Sequence, residues 1–143
     1  MLKALTLSLT ATLATTTSAE TGWEVLEGVE IKEVISGDDW LAEKTFSDQL
    51  LDLAGPIEIT GYYLPFAAQP FVQDFLLIQD PAGCPFCGSG EAGTLALEVS
   101  LKRPMSDIAE YSKIVVAGQL ELIEDPLTFQ AYRLIDARAT PVN

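Results

Sequence analysis

The sequence predicts a mainly β fold, a five-stranded OB-like barrel with short helices, and three observations lead to this class. Five segments from residue 57 onward alternate apolar and polar side chains, as strands do. One short helical stretch, capped by Ser106, falls between the third and fourth segments, which is the element order of an OB fold. Gly61 and Gly118 interrupt two segments where a barrel needs bulges or sharp coiling to close; a generic antiparallel sandwich is the alternative. The predicted strands are residues 57–64, 74–78, 94–101, 113–122 and 129–137.

The segment that precedes the barrel is predicted to be extended, then broken, then helical. Residues 20–36 carry apolar side chains two or four positions apart, which favours an extended chain, and residues 37–39 break this run. Trp40 is expected to dock on the core. Ser47 has the chemistry of a helix N-cap, and Gly55-Pro56 stops the short helix that it begins.

Residues 1–19 have the layout of a secretory signal peptide. Lys3 provides a basic start, an uncharged apolar stretch follows, and the small residues Thr17-Ser18-Ala19 suit a signal peptidase. A transmembrane anchor is the alternative, but the stretch is short and rich in threonine for a bilayer span. The sequence therefore predicts cleavage after Ala19, a single domain over residues 20–143, and a soluble periplasmic or secreted protein without membrane insertion.

Charge and composition narrow the classes of partner and chemistry. The chain has a formal net charge of −13 and contains no histidine. An acidic surface repels phosphate backbones, so nucleic acid is not an expected partner, whereas cations and basic protein patches are. The absence of histidine removes histidine-dependent triads, histidine general bases and histidine-ligated zinc enzymes. The sequence therefore predicts a protein that is not an enzyme.

Cys84 and Cys87 are the one unusual feature of the chain, a Cys-x-x-Cys pair framed by glycines in a loop between two predicted strands. Because glycine permits tight turns, both sulfurs can face one point. An exported protein meets an oxidising compartment, so the simplest interpretation is a disulfide. Such a disulfide closes a very small loop and acts locally on it.

Two other interpretations of the pair stay open. As a metal site, the pair resembles half of a zinc ribbon, and Asp80 and Glu91, or a second protomer, are candidates to complete a zinc shell. Copper(I) accepts two or three soft ligands. As a redox site, the pair lacks the helix start and the βαβ frame of thioredoxin-like enzymes. The candidate metal ligands are Cys84, Cys87, Glu91 and Asp80, with zinc or copper(I) as the ion.

Aromatic side chains are concentrated between residues 62 and 75. OB folds stack nucleic-acid bases on such aromatics, but the acidic charge opposes this ligand, so core packing is the prediction for the group. The loop from Tyr62 to Phe71 is also a candidate apolar rim for a partner protein. The aromatic residues are Tyr62, Tyr63, Phe66, Phe71 and Phe75.

Five short blocks follow one another between Trp40 and Val142. They are Trp40 itself, Gly61-Tyr62-Tyr63-Leu64-Pro65, Phe75-Leu76-Leu77, Val115-x-x-Gly118-x-Leu120 and Tyr132-Arg133. In this order they resemble the DUF3299 family of exported bacterial proteins of unassigned function. The family has a cysteine, a histidine and a proline run after its second strand, where this chain has Cys84-Pro85-Phe86-Cys87. The resemblance implies an accessory role in metal trafficking beside exporter-like transport systems.

The leading functional hypothesis combines these observations. It is an exported binding protein, an accessory in zinc or copper trafficking that uses Cys84 and Cys87 and works with a protein of a transport system. The alternative is a structural or partner-binding module in which the two cysteines form an inert disulfide. The third hypothesis is a thiol–disulfide redox protein.

Overall fold

The computed structural model of the chain describes residues 21–87 and 93–142, so the predicted signal peptide lies outside the described residues. The described chain is mainly β, as predicted, with two short helices before the barrel. No helix in this part of the chain is long and apolar enough to cross a membrane. The elements are α1 Thr21–Leu26, β1 Val29–Ser36, β2 Asp39–Phe46, α2 Asp48–Leu53, β3 Gly55–Pro65, β4 Phe71–Ile78, β5 Ala96–Ser106, β6 Lys113–Leu122 and β7 Tyr132–Pro141.

Strands β3 to β7 form a closed barrel in the order β3-β4-β5-β7-β6. Neighbouring strands are antiparallel except β5 and β7, which run parallel. This is the five-stranded OB-like barrel that the sequence predicts. The first barrel strand, β3, has two neighbours in turn: residues 55–62 pair with β6, and residues 62–65 pair with β4.

The two glycines inside barrel strands lie where the sequence predicts sharp coiling. Gly61 is next to the point where β3 changes partner, and a Cβ there would be 2.7 Å from the Ile78 carbonyl oxygen. Gly118 faces a β7 bulge in which Asp136 and Ala137 together stand opposite one position of β6. A Cβ on Gly118 would be 2.9 Å from the Ala137 Cβ, so only glycine permits this approach.

The core lies inside the barrel and is closed by residues from both helices. Trp23 and Leu26 of α1 and Leu50 of α2 are buried with the barrel side chains. The indole Nε1 of Trp23 donates a hydrogen bond to the carbonyl oxygen of Thr60 at 2.7 Å, on the part of β3 that does not pair with β4. The fully buried barrel residues include Ile59, Tyr63, Phe75, Leu77, Leu97, Val99, Ile114, Val116 and Leu134.

The chain before the barrel confirms one prediction and corrects two. Helix α2 forms as predicted, with the Ser47 hydroxyl accepting a hydrogen bond from the Leu50 N–H. Residues 21–26 are helical and not extended, because Trp23 and Leu26 share one helix face and bury it in the core. Trp40 lies in a strand, β2, which the sequence analysis missed; β2 pairs with β1 as a two-stranded sheet around a turn at residues 37–38.

The predicted helix after Ser106 does not form. Strand β5 continues to Ser106, and residues 107–112 make a turn whose polar groups bond to β3 and not to one another in a helical ladder. The Tyr63 hydroxyl donates to Asp107 Oδ1 at 2.5 Å, the Tyr111 N–H donates to the Tyr63 carbonyl, and the Tyr63 N–H donates to the Ser112 carbonyl. Tertiary hydrogen bonds to one buried tyrosine therefore override the local helix signal.

Strand boundaries agree with prediction for β6 and differ elsewhere. β4 begins at Phe71 and β5 extends to Ser106, so both strands are longer than their apolar runs. β7 begins at Tyr132 and not at residue 129. Residues 129–131 instead belong to the loop between β6 and β7, which contributes to the surface described next.

Candidate functional site

Cys84 and Cys87 form a disulfide in the loop between β4 and β5, as the simplest interpretation of the pair predicts. The two sulfurs are 2.04 Å apart and the two Cα atoms 5.3 Å apart. The Cys84 carbonyl oxygen accepts hydrogen bonds from the Cys87 N–H at 3.2 Å and from the Thr94 N–H at 3.1 Å. Both cysteines are therefore held by the backbone as well as by the disulfide.

The base of this loop is organised by Asp80 and Thr94. The buried Thr94 hydroxyl accepts a hydrogen bond from the Asp80 N–H at 2.8 Å, and Asp80 Oδ1 accepts one from the Ala82 N–H at 2.9 Å. Gly83 passes so close to Thr94 that a Cβ on Gly83 would lie 2.6 Å from the Thr94 Cβ. The Asp80 carboxylate is thus engaged in shaping the turn, which is a different role from the predicted metal ligand.

The predicted metal shell of Cys84, Cys87, Glu91 and Asp80 stays a prediction. Glu91 lies outside the described residues. Within residues 21–87 and 93–142, no group of three or more histidine, cysteine, aspartate or glutamate side chains is placed to hold an ion. The described site is a disulfide whose outer side faces solvent: Cys87 is exposed, and the neighbouring Phe86 is 84% exposed.

A second surface lies beside this loop, and the sequence analysis did not identify it. The β1–β2 hairpin packs against the barrel, and an open groove of about 400 Å³ lies between the two. We call it the hairpin groove. Its apolar lining comes from both sides. The residues are Val29 and Ile31 of β1, Leu76 of β4, Ala96 of β5, Phe129 and Ala131 of the loop between β6 and β7, and Tyr132 of β7, with Glu98 and Gln130 as the polar members.

The hairpin is attached to the barrel through the loop between β6 and β7. The Ala42 N–H donates to the Pro126 carbonyl at 2.7 Å, and the Lys44 ammonium donates to the Asp125 carbonyl. The rings of Trp40 and Phe129 are in contact, with centroids 4.2 Å apart. These contacts fix the position of the hairpin beside the groove. The alternation of Trp40, Ala42 and Lys44 indicates a strand but does not report its contact with the loop between β6 and β7.

The charged residue in the lining of the hairpin groove is acidic: Glu98 Oε2 accepts a hydrogen bond from Gln130 Nε2 at 2.8 Å. The hairpin itself carries both signs of charge, because Glu30 and Glu33 are exposed on β1 and Lys44 is paired opposite Ile31. Burial raises the pKa of the Tyr132 hydroxyl, and the Glu27 carboxylate adds to this rise. The groove therefore combines an apolar lining with one acidic side chain, Glu98.

The aromatic stretch between residues 62 and 75 divides into core and surface. Tyr63 and Phe75 are fully buried and in ring contact, as predicted. Phe66 and Phe71 are 56% and 63% exposed, so the prediction of core packing is wrong for these two. They lie at the two ends of the loop between β3 and β4, where the register turns their side chains away from the barrel interior.

Comparison with known proteins adds no assignment to this geometry: no family model matches the chain, and no match was found among curated proteins or among solved structures. The resemblance to DUF3299 proteins stays a prediction. The disulfide loop and the surfaces of the barrel are therefore the features from which a function is inferred.

Proposed function

We propose that this chain is an exported, non-enzymatic binding protein that holds a basic segment of a partner protein in the hairpin groove. The observation that carries the proposal is a groove with an apolar lining and an acidic side chain, Glu98, on a chain with a net charge of −13. Ile31 and Phe129 leave 40% and 54% of their surfaces exposed there. Large apolar side chains that stay exposed together and are rimmed by polar residues are typical of interaction sites.

The size and charge of the groove select the kind of segment. About 400 Å³ accommodates one or two side chains, so a single apolar anchor fits and a folded domain does not. The net charge of −13 and the nearby Glu30, Glu33 and Glu98 attract lysine and arginine and speed the encounter with a basic partner. A transport-system protein with an apolar residue between basic ones meets both requirements.

The disulfide loop supports this proposal because it lies beside the groove and its conformation is restricted. Glu98 near the start of β5 pairs with Arg133 near the start of β7, so the loops that precede these strands leave the barrel at the same end. The disulfide restricts the loop that presents Phe86 to solvent. In this proposal Cys84 and Cys87 are inert, and their bridge limits the conformations of one loop.

The test is a titration with a short synthetic peptide that has one leucine between lysines, followed by amide chemical shifts. Binding is expected to move the amides of β1 and of residues 129–132. Ile31→Ser is expected to weaken affinity about tenfold, because it removes an apolar contact of the anchor. Ile35→Ser is the matched control, since Ile35 is on the same strand, 75% exposed and outside the groove.

Two results would overturn the groove assignment. One is equal binding of a peptide in which glutamate replaces every lysine. The other is an equal loss of affinity in Ile31→Ser and Ile35→Ser, because the groove is lined by only one of these residues.

The inert role of the disulfide has its own test. The double change Cys84→Ser and Cys87→Ser is expected to shift amides within residues 79–95, to lower the free energy of unfolding by no more than about 2 kcal/mol, and to leave peptide affinity unchanged. The loop closed by the bridge is small, which is the reason for the limited effect. Unfolding of the whole barrel in this variant would contradict a local role.

A second proposal concerns the reduced loop, because the disulfide geometry brings both sulfurs to one point with Cys87 exposed. Reduction by two electrons and two protons gives two thiols whose thiolates suit copper(I), which accepts two soft ligands. Zinc requires further ligands. Asp80, whose Oδ1 accepts the Ala82 N–H, and Glu91 or a second protomer are the candidates to supply them.

Native mass spectrometry of the protein from its own compartment distinguishes disulfide, free thiols and metal complex. Reduced protein is then titrated with copper(I) and with zinc against a competing chelator. The copper proposal expects one ion per chain and its loss in Cys84→Ser. The same stoichiometry in Cys84→Ser, or no ion bound by the reduced protein, would exclude a thiolate site.

A further inference from the structure

A cleft opens in the barrel wall where the two parallel strands separate. β5 and β7 pair as far as Leu101 and Ala137. Beyond this point the end of β5 pairs with β4, and residues 138–141 of β7 pair with β6, so the two strands diverge. The opening has a volume of about 370 Å³, and we call it the basic cleft.

The floor of the basic cleft is apolar. Leu101 and Ala137 are buried, at 4% and 1% exposure, and Met105 and Ala139 are half-buried beside them. The helix that the sequence predicts after Ser106 does not form, and the turn at residues 107–112 that replaces it lines no part of the cleft. The apolar floor is therefore open to a ligand.

The rim of the basic cleft holds three of the eight lysine and arginine residues of an acidic chain. They are Lys102, Arg103 and Arg138, and no acidic residue lines the cleft with them. Within the part of the chain that the structure describes, the one ion pair is Arg133 with Glu121, away from the cleft. Glu58 and Asp136 lie on the neighbouring depression that Lys102 and Arg138 also border, beyond ion-pair distance of both.

The Asp136 bulge explains how the cations come together. Asp136 has a φ of 51°, a left-handed conformation that aspartate tolerates better than most residues. The extra residue shifts the β7 register so that Leu101 is paired with Ala137, which makes Lys102 and Arg138 the next residues on the two strands. A bulge that places two like charges side by side costs free energy unless an anion offsets their repulsion.

We propose that the basic cleft binds a small amphiphilic anion, a carboxylate with a short alkyl chain. The guanidinium groups of Arg103 and Arg138 suit the planar carboxylate, and Lys102 adds a third donor. The alkyl chain would cover the floor at Met105 and Ala139. A volume of about 370 Å³ is within the range for small-molecule sites, and the apolar floor gives the alkyl chain of such a ligand a surface to cover.

The test uses octanoate, titrated into the full-length secreted chain and followed by amide chemical shifts. Binding is expected to move residues 101–105 and 137–139. Acetate and inorganic phosphate, which lack the alkyl chain, and octylamine, which reverses the charge, are each expected to bind at least about tenfold more weakly. The peptide that probes the hairpin groove binds elsewhere, so failure of one site is distinguishable from failure of the other.

Variants on one strand provide the matched comparison. Arg138→Gln is expected to weaken octanoate binding about tenfold, and Arg103→Gln similarly. Arg133→Gln is the control, because Arg133 is on β7 but pairs with Glu121 outside the cleft. Thermal melts identify any variant that unfolds.

The proposal is overturned by any of three outcomes. These are no shift with octanoate, equal affinity for phosphate or acetate, and tighter binding of an acidic peptide than of octanoate. An equal effect of Arg133→Gln and Arg138→Gln would also overturn it, because the binding would then reflect general charge and not the cleft.

Discussion

The hairpin groove and the basic cleft are depressions of similar volume, about 400 and 370 Å³, but they differ in construction and in charge. The groove lies between the barrel and an appended hairpin, and the charged residue in its lining, Glu98, is acidic. The cleft lies between two barrel strands, and its charged rim is basic. A chain with a net negative charge can thus have part of its few lysine and arginine residues at one surface. The two surfaces then favour ligands of opposite charge.

The two surfaces also differ in what holds them in place. The cleft is part of the barrel wall, so its geometry depends on the buried core. The groove depends on the attachment of a two-stranded sheet, and an isolated hairpin is at best marginally stable in water. Changes in the core are therefore expected to affect both surfaces, and changes in the hairpin only one.

The largest expected effect comes from a substitution in the buried core, which is expected to weaken both surfaces together. Leu134 is fully buried and pairs with Val99 on one side and Leu120 on the other. Leu134→Ala is expected to lower the free energy of unfolding by about 3 kcal/mol, because it leaves a cavity, and to weaken both surfaces. Denaturant unfolding measures it, with the exposed Thr140→Ala as control. A loss below about 1 kcal/mol would show that the barrel does not depend on this contact.

An intermediate effect on stability is expected from a change at Tyr63, which is hydrogen-bonded to the turn at residues 107–112. Burial, and then the hydrogen bond to Asp107, raise the pKa of Tyr63 above its ordinary value of 10.0. A tyrosine with a raised folded pKa stabilises the protein fully below about pH 10 and loses this contribution as the pH rises further. Tyr63→Phe is expected to cost about 1 kcal/mol at neutral pH, through the lost hydrogen bond, and to flatten the decline of stability above pH 10.

Tyr132 lines the hairpin groove, and Tyr132→Phe is the substitution there that corresponds to Tyr63→Phe. Burial also raises the pKa of Tyr132, so this variant is expected to flatten the alkaline decline as well. Amide shifts distinguish the two, because Tyr63→Phe is expected to move residues 107–112 and Tyr132→Phe the groove. Identical shift patterns would contradict separate surroundings for the two tyrosines.

The smallest expected effect on global stability comes from loosening the hairpin. Trp40→Ala removes the ring contact with Phe129 and is expected to lower the free energy of unfolding by about 0.5 kcal/mol. Binding of the lysine–leucine peptide is expected to weaken, while octanoate affinity stays unchanged. Hydrogen exchange on β1 and β2 measures the loosening, with Trp40→Phe as the control that keeps a ring. Faster exchange throughout the barrel would contradict independent attachment.

Much of the barrel was predictable because its signals are local. The β6 run at residues 113–122 alternates clearly enough for both boundaries to be correct, and Ser47 and Gly55-Pro56 define helix α2 by capping chemistry. The helix predicted after Ser106 failed because hydrogen bonds to Tyr63 outcompete a helical ladder. Residues 21–26 were misassigned because Trp23 and Val25 have the spacing of a strand face, whereas Trp23 and Leu26 have the spacing of a helix face.

The candidate sites were predictable only in part. The Cys84–Cys87 disulfide was predicted from the spacing of the cysteines and from the predicted export of the chain. The hairpin groove brings β1 beside residues 129–132, about 100 positions later in the chain, and no local pattern reports such a contact. The basic cleft is similar, since Arg138 is about 35 positions after the Lys102-Arg103 pair in the chain and lines the same cleft only through the parallel pairing of β5 and β7.

The sequence by itself determined the strand-forming segments, the acidic charge, the cysteine pair and the capped helix, because each depends on residues close together in the chain. The tertiary structure decided which side chains share a surface. Barrel closure sets the register of β5 against β7, and a bulge of one residue at Asp136 determines where Arg138 lies along β5. The net charge follows from the composition, whereas the set of side chains that share a binding surface depends on the strand register.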